Sequence, residues 1–314
     1  MSRAPVQSSA PGKVILFGEH AVVYGEPAIA VPVWAVTAKA TVEPAPPGSG
    51  LTLVAADLGQ QFALSTAPPQ DPLAVAARLT LGHLSAPIPD ARVIVQSSIP
   101  IASGLGSGAA VATALVQALA DFIGRPLSRA EVSNLVFEVE KIHHGTPSGI
   151  DNTVIAYEQP VYFARTADSE PRPLSVGAPF TLLIADSGLP SPTRRLVSQV
   201  RRAWRREPTR YETLFKKMGD IARAAYREIE AGDIAAVGHL MDSNHALLIQ
   251  LGVSSPTLNV LVEAAREAGA CGAKLSGAGR GGNMIALVNP AVAEEVAETL
   301  REGGAVRVIH TIVE

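Results

Sequence analysis

Apolar positions change their period several times along the chain, and each change predicts an element. Between Ser128 and His143, Val132, Leu135, Val136, Val139 and Ile142 recur at intervals of three and four, the spacing of one face of an α-helix. Ser128 with Glu131 three residues on is a capping-box start for it. Residues 109–123, rich in Ala, Val and Leu with no breaker, predict a second helix, and residues 72–84 a third. Residues 28–36 and 52–64 read as extended, with Gly59 turning a hairpin, and residues 91–95 as a strand. Residues 44–50, Pro-Ala-Pro-Pro-Gly-Ser-Gly, and residues 145–149, Gly-Thr-Pro-Ser-Gly, predict loops.

The second half opens with a short buried strand at 181–186, followed by long helical runs over 193–251. Ser255 before Pro256 marks another helix start, and that helix ends near Gly269. Strands follow at 272–276 and 283–288, then a helix at 290–301 and a strand at 305–313. Setting aside the inserted helices, the order is β-α-β-β-α-β, the ferredoxin-like arrangement. The expected class is α+β with two domains, residues 1–177 and 178–314.

Composition narrows the functions. A chain of 314 residues with 47% hydrophobic residues can build two cores. At 18% charged residues and a net charge of −3 there is no basic footprint for nucleic acid. The single cysteine, Cys271, cannot form an internal disulfide, so a reducing, cytoplasmic setting is expected. The first nine residues contain no apolar signal core, and no uninterrupted apolar run reaches the roughly 18–20 residues of a membrane span, so neither export nor membrane insertion is expected.

The candidate chemistry begins at Pro100-Ile-Ala-Ser-Gly-Leu-Gly-Ser-Gly-Ala-Ala110, between the strand at 91–95 and the helix from 109. A glycine-rich junction there gathers free backbone N–H groups at the positive end of a helix, a phosphate site in physical terms. Gly104 to Ala109 also fits a Gly-x-Gly-x-x-Ala dinucleotide fingerprint, but no acidic residue follows at the tip of a predicted strand. Gly277 to Gly282 contains Gly-x-Gly-x-x-Gly but leads into a strand, and no Walker A pattern is present. Taken singly, either stretch could be a plain turn.

Two companions decide between these readings: Pro11-Gly-Lys-Val-Ile-Leu-Phe-Gly-Glu-His20 and Lys274-Leu-Ser-Gly-Ala-Gly-Arg-Gly-Gly282. In this order, over residues 9–290, the three segments resemble the GHMP kinase family of small-molecule ATP-dependent kinases. Within it, residues 10–25 and Pro147-Ser-Gly-Ile-Asp-Asn152 are most similar to the members that phosphorylate mevalonate. The resemblance implies an N-terminal α/β domain with a left-handed crossover, a ferredoxin-like C-terminal domain, ATP and Mg2+ as cofactors, and phosphorylation of the mevalonate 5-hydroxyl. It implies ATP contacts at Pro100, Gly104, Leu105, Gly106, Ser107, Gly108, Ala109, Gly277 and Gly279. Asp151 becomes the general base, with Lys13 beside it. Glu140, aligned by the pattern Glu-x-x-x-His-Gly over 140–145, becomes the Mg2+ ligand. Glu19, His20 and Thr193 become substrate contacts. One departure stands out: the family loop carries two consecutive serines, whereas this chain has Ser107 and Gly108, so Ser107 or a water must serve as the second metal ligand.

Plainer readings stay open from the residues alone. Asp151 could be a turn or capping residue, and Glu140 an exposed helix-surface residue like Glu138. Arg194, Arg195, Arg201, Arg202, Arg205 and Arg206 read as a solvated face, with an anionic partner as the alternative. His143, His144 and His245 lack any Cys/His spacing for zinc. The rival functions are a kinase of another small alcohol, a mevalonate-pathway decarboxylase, and a metabolite sensor without turnover. A homodimer is left open.

Overall fold

Two long strands, β1 (Val6–Phe17) and β2 (Ala28–Pro44), pair with each other and carry the N-terminal part of the chain. The computed structural model describes residues 4–100, 103–144, 147–164 and 172–314. Ile101 and Ala102 of the glycine-rich loop, Gly145 and Thr146 of the loop expected at 145–149, and the side chains of His143 and His144 lie outside the described residues. Clustering of contacts divides the chain into two units. One comprises Met1–Lys13, Val36–Pro100 and Leu105–Glu158; the other comprises Val14–Ala35, Ile101–Gly104 and Gln159–Glu314.

In the first unit the second half of β2 runs antiparallel to β5 (Ala91–Ser97), from Ala38 opposite Ser97 to Pro44 opposite Ala91. β5 also lies parallel to β3 (Leu51–Ala55), which forms the expected hairpin with β4 (Gln60–Ala63) through Gly59 in the left-handed region. The loop before β3 is closed by the Asp90 carboxylate, which accepts the N–H groups of Gly48 and Gly50.

Four helices follow: α1 (Pro72–His83), α2 (Ser107–Ile123), α3 (Arg129–His144) and α4 (Ile150–Tyr157), with α2, α3 and α4 packed on one another. The capping box of α3 forms as read: Glu131 N–H donates to Ser128 Oγ, and Ser128 N–H to the Glu131 carboxylate. The Ser128 hydroxyl and N–H together draw the Glu131 carboxyl down to about 2. Helix α2 begins two residues earlier than its apolar run, and α4, which starts directly after the segment read as loop at 145–149, is an element the sequence pattern does not predict.

The second unit holds a four-stranded antiparallel sheet, β8 (Phe180–Asp186), β9 (Gly272–Ser276), β10 (Asn283–Val288) and β11 (Arg307–Val313), in the order β11-β8-β10-β9. With α8 (Pro256–Glu267) before β9 and α9 (Ala293–Glu302) before β11, this is the expected ferredoxin-like arrangement. Helices α5 (Thr193–Arg206), α6 (Pro208–Ala231) and α7 (Ile234–Gln250) are inserted after β8. Leu183, Met218, Leu248, Leu261, Met284 and Val296 meet in one core. Every residue of β9 and β10 is buried, as for strands covered on both faces. In the same unit, two short strands, β6 (Val161–Phe163) and β7 (Arg172–Pro173), continue from Ala28–Ala30 of β2. Among the described residues no helix is long and apolar enough to cross a membrane.

The end of β1 is a tight corner. Gly18 has φ of 91°, and a methyl group there would lie 2.5 Å from Ala28 Cα. Gly48, with φ of 81°, would meet open space. Gly48→Ala should therefore cost about 1 kcal/mol, the left-handed penalty alone, and Gly18→Ala at least about 3 kcal/mol, because β2 cannot retreat. Urea unfolding of both variants checks this; equal losses would mean that the close approach to β2 contributes nothing.

Candidate active site

In the first unit, β1 delivers Lys13 as a buried residue, and its backbone N–H donates to Leu105 O at 2.9 Å. The Lys13 ammonium lies 2.9 Å from Asp151 Oδ1. Asp151 is not in a loop, as its setting after Pro147-Ser-Gly149 suggests, but in the first turn of α4. A carboxylate there lies at the positive end of the helix dipole. Gly149, left-handed with φ of 92°, turns the chain into that helix, and Asn152 anchors it by donating to Ser133 O and Oγ.

Gly106 caps α2 at φ of 75° with no side chain to offer. Gly106 makes no side-chain cap and the first turn of α2 contains no acidic residue, so among the described residues of the helix start no capping side chain competes for its first N–H groups. Helix geometry and dipole give such an end the chemistry that suits an anion. Ser107 is half-buried and Gly108 exposed, so the end is accessible. A methyl group at Gly106 would lie 2.9 Å from both Lys13 Cγ and Ile155 Cδ1. Gly108 is helical and absent from the positive-φ glycines, so its glycine is not required by φ. Pro100 precedes this loop, half-buried.

Glu140 departs from the exposed-surface reading. It is 3% exposed on α3, whereas Glu138 is exposed and pairs with Lys141 at 2.6 Å. Among the described residues no group of three or more His, Cys, Asp or Glu side chains could hold a metal. One carboxylate and one hydroxyl, those of Glu140 and Ser107, are hard oxygen donors of the kind Mg2+ accepts while keeping water and phosphate ligands.

The second unit holds Glu19, His20, Gly104, Thr193, Gly277 and Gly279. The His20 ring Nε2 lies 2.9 Å from Ala278 O, in the glycine-rich turn after β9. Since a carbonyl only accepts, Nε2 carries the proton and Nδ1 is an acceptor. Burial pushes the imidazole below its usual range, opposed by that hydrogen bond, so the ring is neutral. Gly279, with φ of 90°, runs against the Val253 carbonyl, whereas Gly104 and Gly277 would meet open space with an added methyl. Ser191 Oγ donates to Gly279 O at 2.8 Å and Asn283 Nδ2 to Ser103 O at 2.6 Å, fixing the turn. Thr193 opens α5 and donates to Ser191 O at 3.4 Å; among the described residues it makes no hydrogen bond to Glu19 or His20. The six arginines of α5 are all exposed, a solvated face.

Three residues of this unit receive no role from the sequence motifs. Lys274, with a fully buried side chain, pairs with the equally buried Glu19, and Asn244 Nδ2 donates to the same carboxylate at 3.2 Å. His245 Nδ1 accepts Leu275 N–H at 3.3 Å. A signal existed for Lys274 alone: a lysine inside a strand otherwise without charge needs a buried partner.

The fold and these two sets of residues define a small-molecule kinase of the GHMP type. The family model for the GHMP kinases N terminal domain matches residues 72–159, and that for the GHMP kinases C terminal domain matches residues 225–306. The chain belongs to the GHMP kinase family. The mevalonate kinase of Pyrococcus horikoshii is 36% identical over 327 residues, covering 98% of this chain and 95% of that protein. The mevalonate kinase of Methanothermobacter thermautotrophicus is 36% identical over 302 residues, 96% of each chain. Among solved structures, L. major mevalonate kinase in complex with R-mevalonate superposes with a TM-score of 0.86 at 27% identity, covering 100% of this chain and 99% of that one. The Methanococcus jannaschii mevalonate kinase gives 0.85 at 26% identity, covering 99% of each.

The buried histidine sets an acid limit on stability. Burial first, then the charges of Arg266 and Lys274, lower the His245 pKa from 6.5 to about 4. Between those values the unfolded chain takes up a proton that the native ring refuses, so stability falls as pH drops from 6.5 towards 4 and is fully present above 6.5. His245→Gln should flatten that slope, read as denaturant unfolding free energy against pH. An unchanged slope would assign the acid limb to other groups.

Proposed function

We propose that this protein transfers the γ-phosphoryl group of ATP to the 5-hydroxyl of mevalonate, giving 5-phosphomevalonate and ADP. The observation that carries the reading is the Lys13–Asp151 pair at the start of α4, with Lys13 packed against the glycine that opens α2. Relatives at 36% identity over nearly the whole chain carry the name mevalonate kinase. The reading assigns residues 1–177 to an ATP-binding domain and residues 178–314 to the ferredoxin-like domain.

The chemistry follows from positions and charges. Asp151 accepts the hydroxyl proton as the alcohol oxygen bonds to the γ-phosphorus, and the bond to the β,γ-bridging oxygen breaks to release ADP. The Lys13 ammonium balances the charge that develops on the attacking oxygen. The N–H groups of Ser107, Gly108 and Ala109 orient the phosphates, with no capping side chain at Gly106 to compete. Glu140 and Ser107 would hold Mg2+, which supplies charge neutralisation at the phosphates. His20, with Nδ1 as an acceptor, suits a substrate hydroxyl rather than a carboxylate.

An ADP-release assay over a panel of alcohols tests the substrate; turnover of another alcohol in preference to mevalonate would overturn the assignment. Asp151→Asn keeps the shape but cannot take the proton, so turnover should fall by about a hundredfold or more while ATP affinity holds. A loss below about tenfold would remove the base role from Asp151. Glu140→Gln keeps the size and deletes the anionic ligand. It should shift the Mg2+ titration upward while the KM for mevalonate stays near its starting value, and an unmoved titration would mean that Glu140 serves packing alone.

A further inference from the structure

His20 sits at the centre of a turn of unusual hand. Its φ is 59° and ψ −47°, and across it Ala21 N–H donates to Glu19 O at 2.6 Å. That is a three-residue γ-turn of the positive-φ form, which is rare and strained, above all for a residue with a side chain. Strain of this kind persists only where the surroundings over-determine the conformation.

The side chains on either side of the strained bond are both gripped. The Glu19 carboxylate accepts from Lys274 Nζ, on β9, and from Asn244 Nδ2, on α7. Lys274 donates a second hydrogen bond to Leu275 O at 2.7 Å. The His20 ring is tied to Ala278 O, four residues beyond Lys274. All of these groups belong to one unit. The arrangement is costly in itself. Burial pushes the Glu19 carboxyl up and the Lys274 ammonium down, each opposed by its partner. Apolar residues at the two positions would be cheaper to bury, so the charge pair calls for a reason other than stability.

We propose that Lys274 and Asn244 are positioning residues that act through Glu19: by holding its carboxylate they keep His20 in the strained turn, with its imidazole set to receive the alcohol. This rests on the kinase reading above. It assigns Lys274, the residue opening the third glycine-rich motif, to substrate geometry rather than to nucleotide binding.

Asn244→Ala removes one hydrogen bond to Glu19 and leaves the ion pair. The double variant Glu19→Gln, Lys274→Met removes both charges and leaves neither buried alone, so it keeps the fold where Lys274→Met by itself could lose it. Each should lower kcat/KM for mevalonate by about tenfold or more, with the KM for ATP changed less than about twofold. In a His20→Ala background the same changes should cost less than about twofold, because the residue they act through is gone. Exchange of the Ala21 amide, followed by NMR, should accelerate by about tenfold or more in both variants. Losses that add fully to that of His20→Ala, or an Ala21 amide exchanging at the wild-type rate, would overturn the proposal. If wild-type protein phosphorylates no alcohol, the kinase reading falls, and the Ala21 amide still decides whether the clamp exists.

Discussion

Lys13 can lie along the start of α2 and reach Asp151 only because position 106 has no side chain. The Cγ and Cε of Lys13 and the Cδ1 of Ile155 occupy the space that a Cβ at 106 would take. The glycine therefore does three things at once. It allows the left-handed turn that starts α2, it leaves the helix start without a capping side chain, and it admits the lysine that pairs with the acid at the start of α4. In the first unit, the start of α2 and the Lys13–Asp151 pair are thus coupled by one absent methyl group.

The second unit solves a different problem, holding polar groups in a strand pair that is buried throughout. Lys274, Ser276 and Asn283 lie on β9 and β10 with no more than 9% exposure, and each has a defined partner: Glu19, Ile15 O and Ser103 O. All three partners come from segments distant in sequence. Buried polar groups that must be satisfied select one arrangement of the chain more sharply than apolar packing does. Here they tie the first and third glycine-rich motifs to each other within the unit.

Strain and specificity meet at His20. An imidazole that donates from Nε2 to a carbonyl has its tautomer fixed, and burial keeps it neutral. What it offers a ligand is a lone pair in a set direction. Under the proposed function, the acceptor geometry that distinguishes one alcohol from another is set by contacts inside the second unit.

Much of this was legible in the chain. The capping box of α3, the hairpin at Gly59, the β-α-β-β-α-β order and the three glycine-rich motifs all rest on local signals, since caps, turns and periodicity involve residues a few positions apart. β1 was not legible, because Pro11 and Gly12 mask the alternation of a strand. Nor was α4, whose eight residues are too few to display a helical period and whose stability comes from packing on α2 and α3. The motifs named Lys13, Glu140 and Asp151, but only the tertiary structure separated the buried Glu140 from the exposed Glu138 on one helix. Only the tertiary structure, too, joined Glu19 to Lys274 across 255 positions. Sequence determines what each short stretch prefers and which chemistry it carries. Which buried charge meets which is decided by the three-dimensional path, because burial and partnership depend on residues that no local window contains.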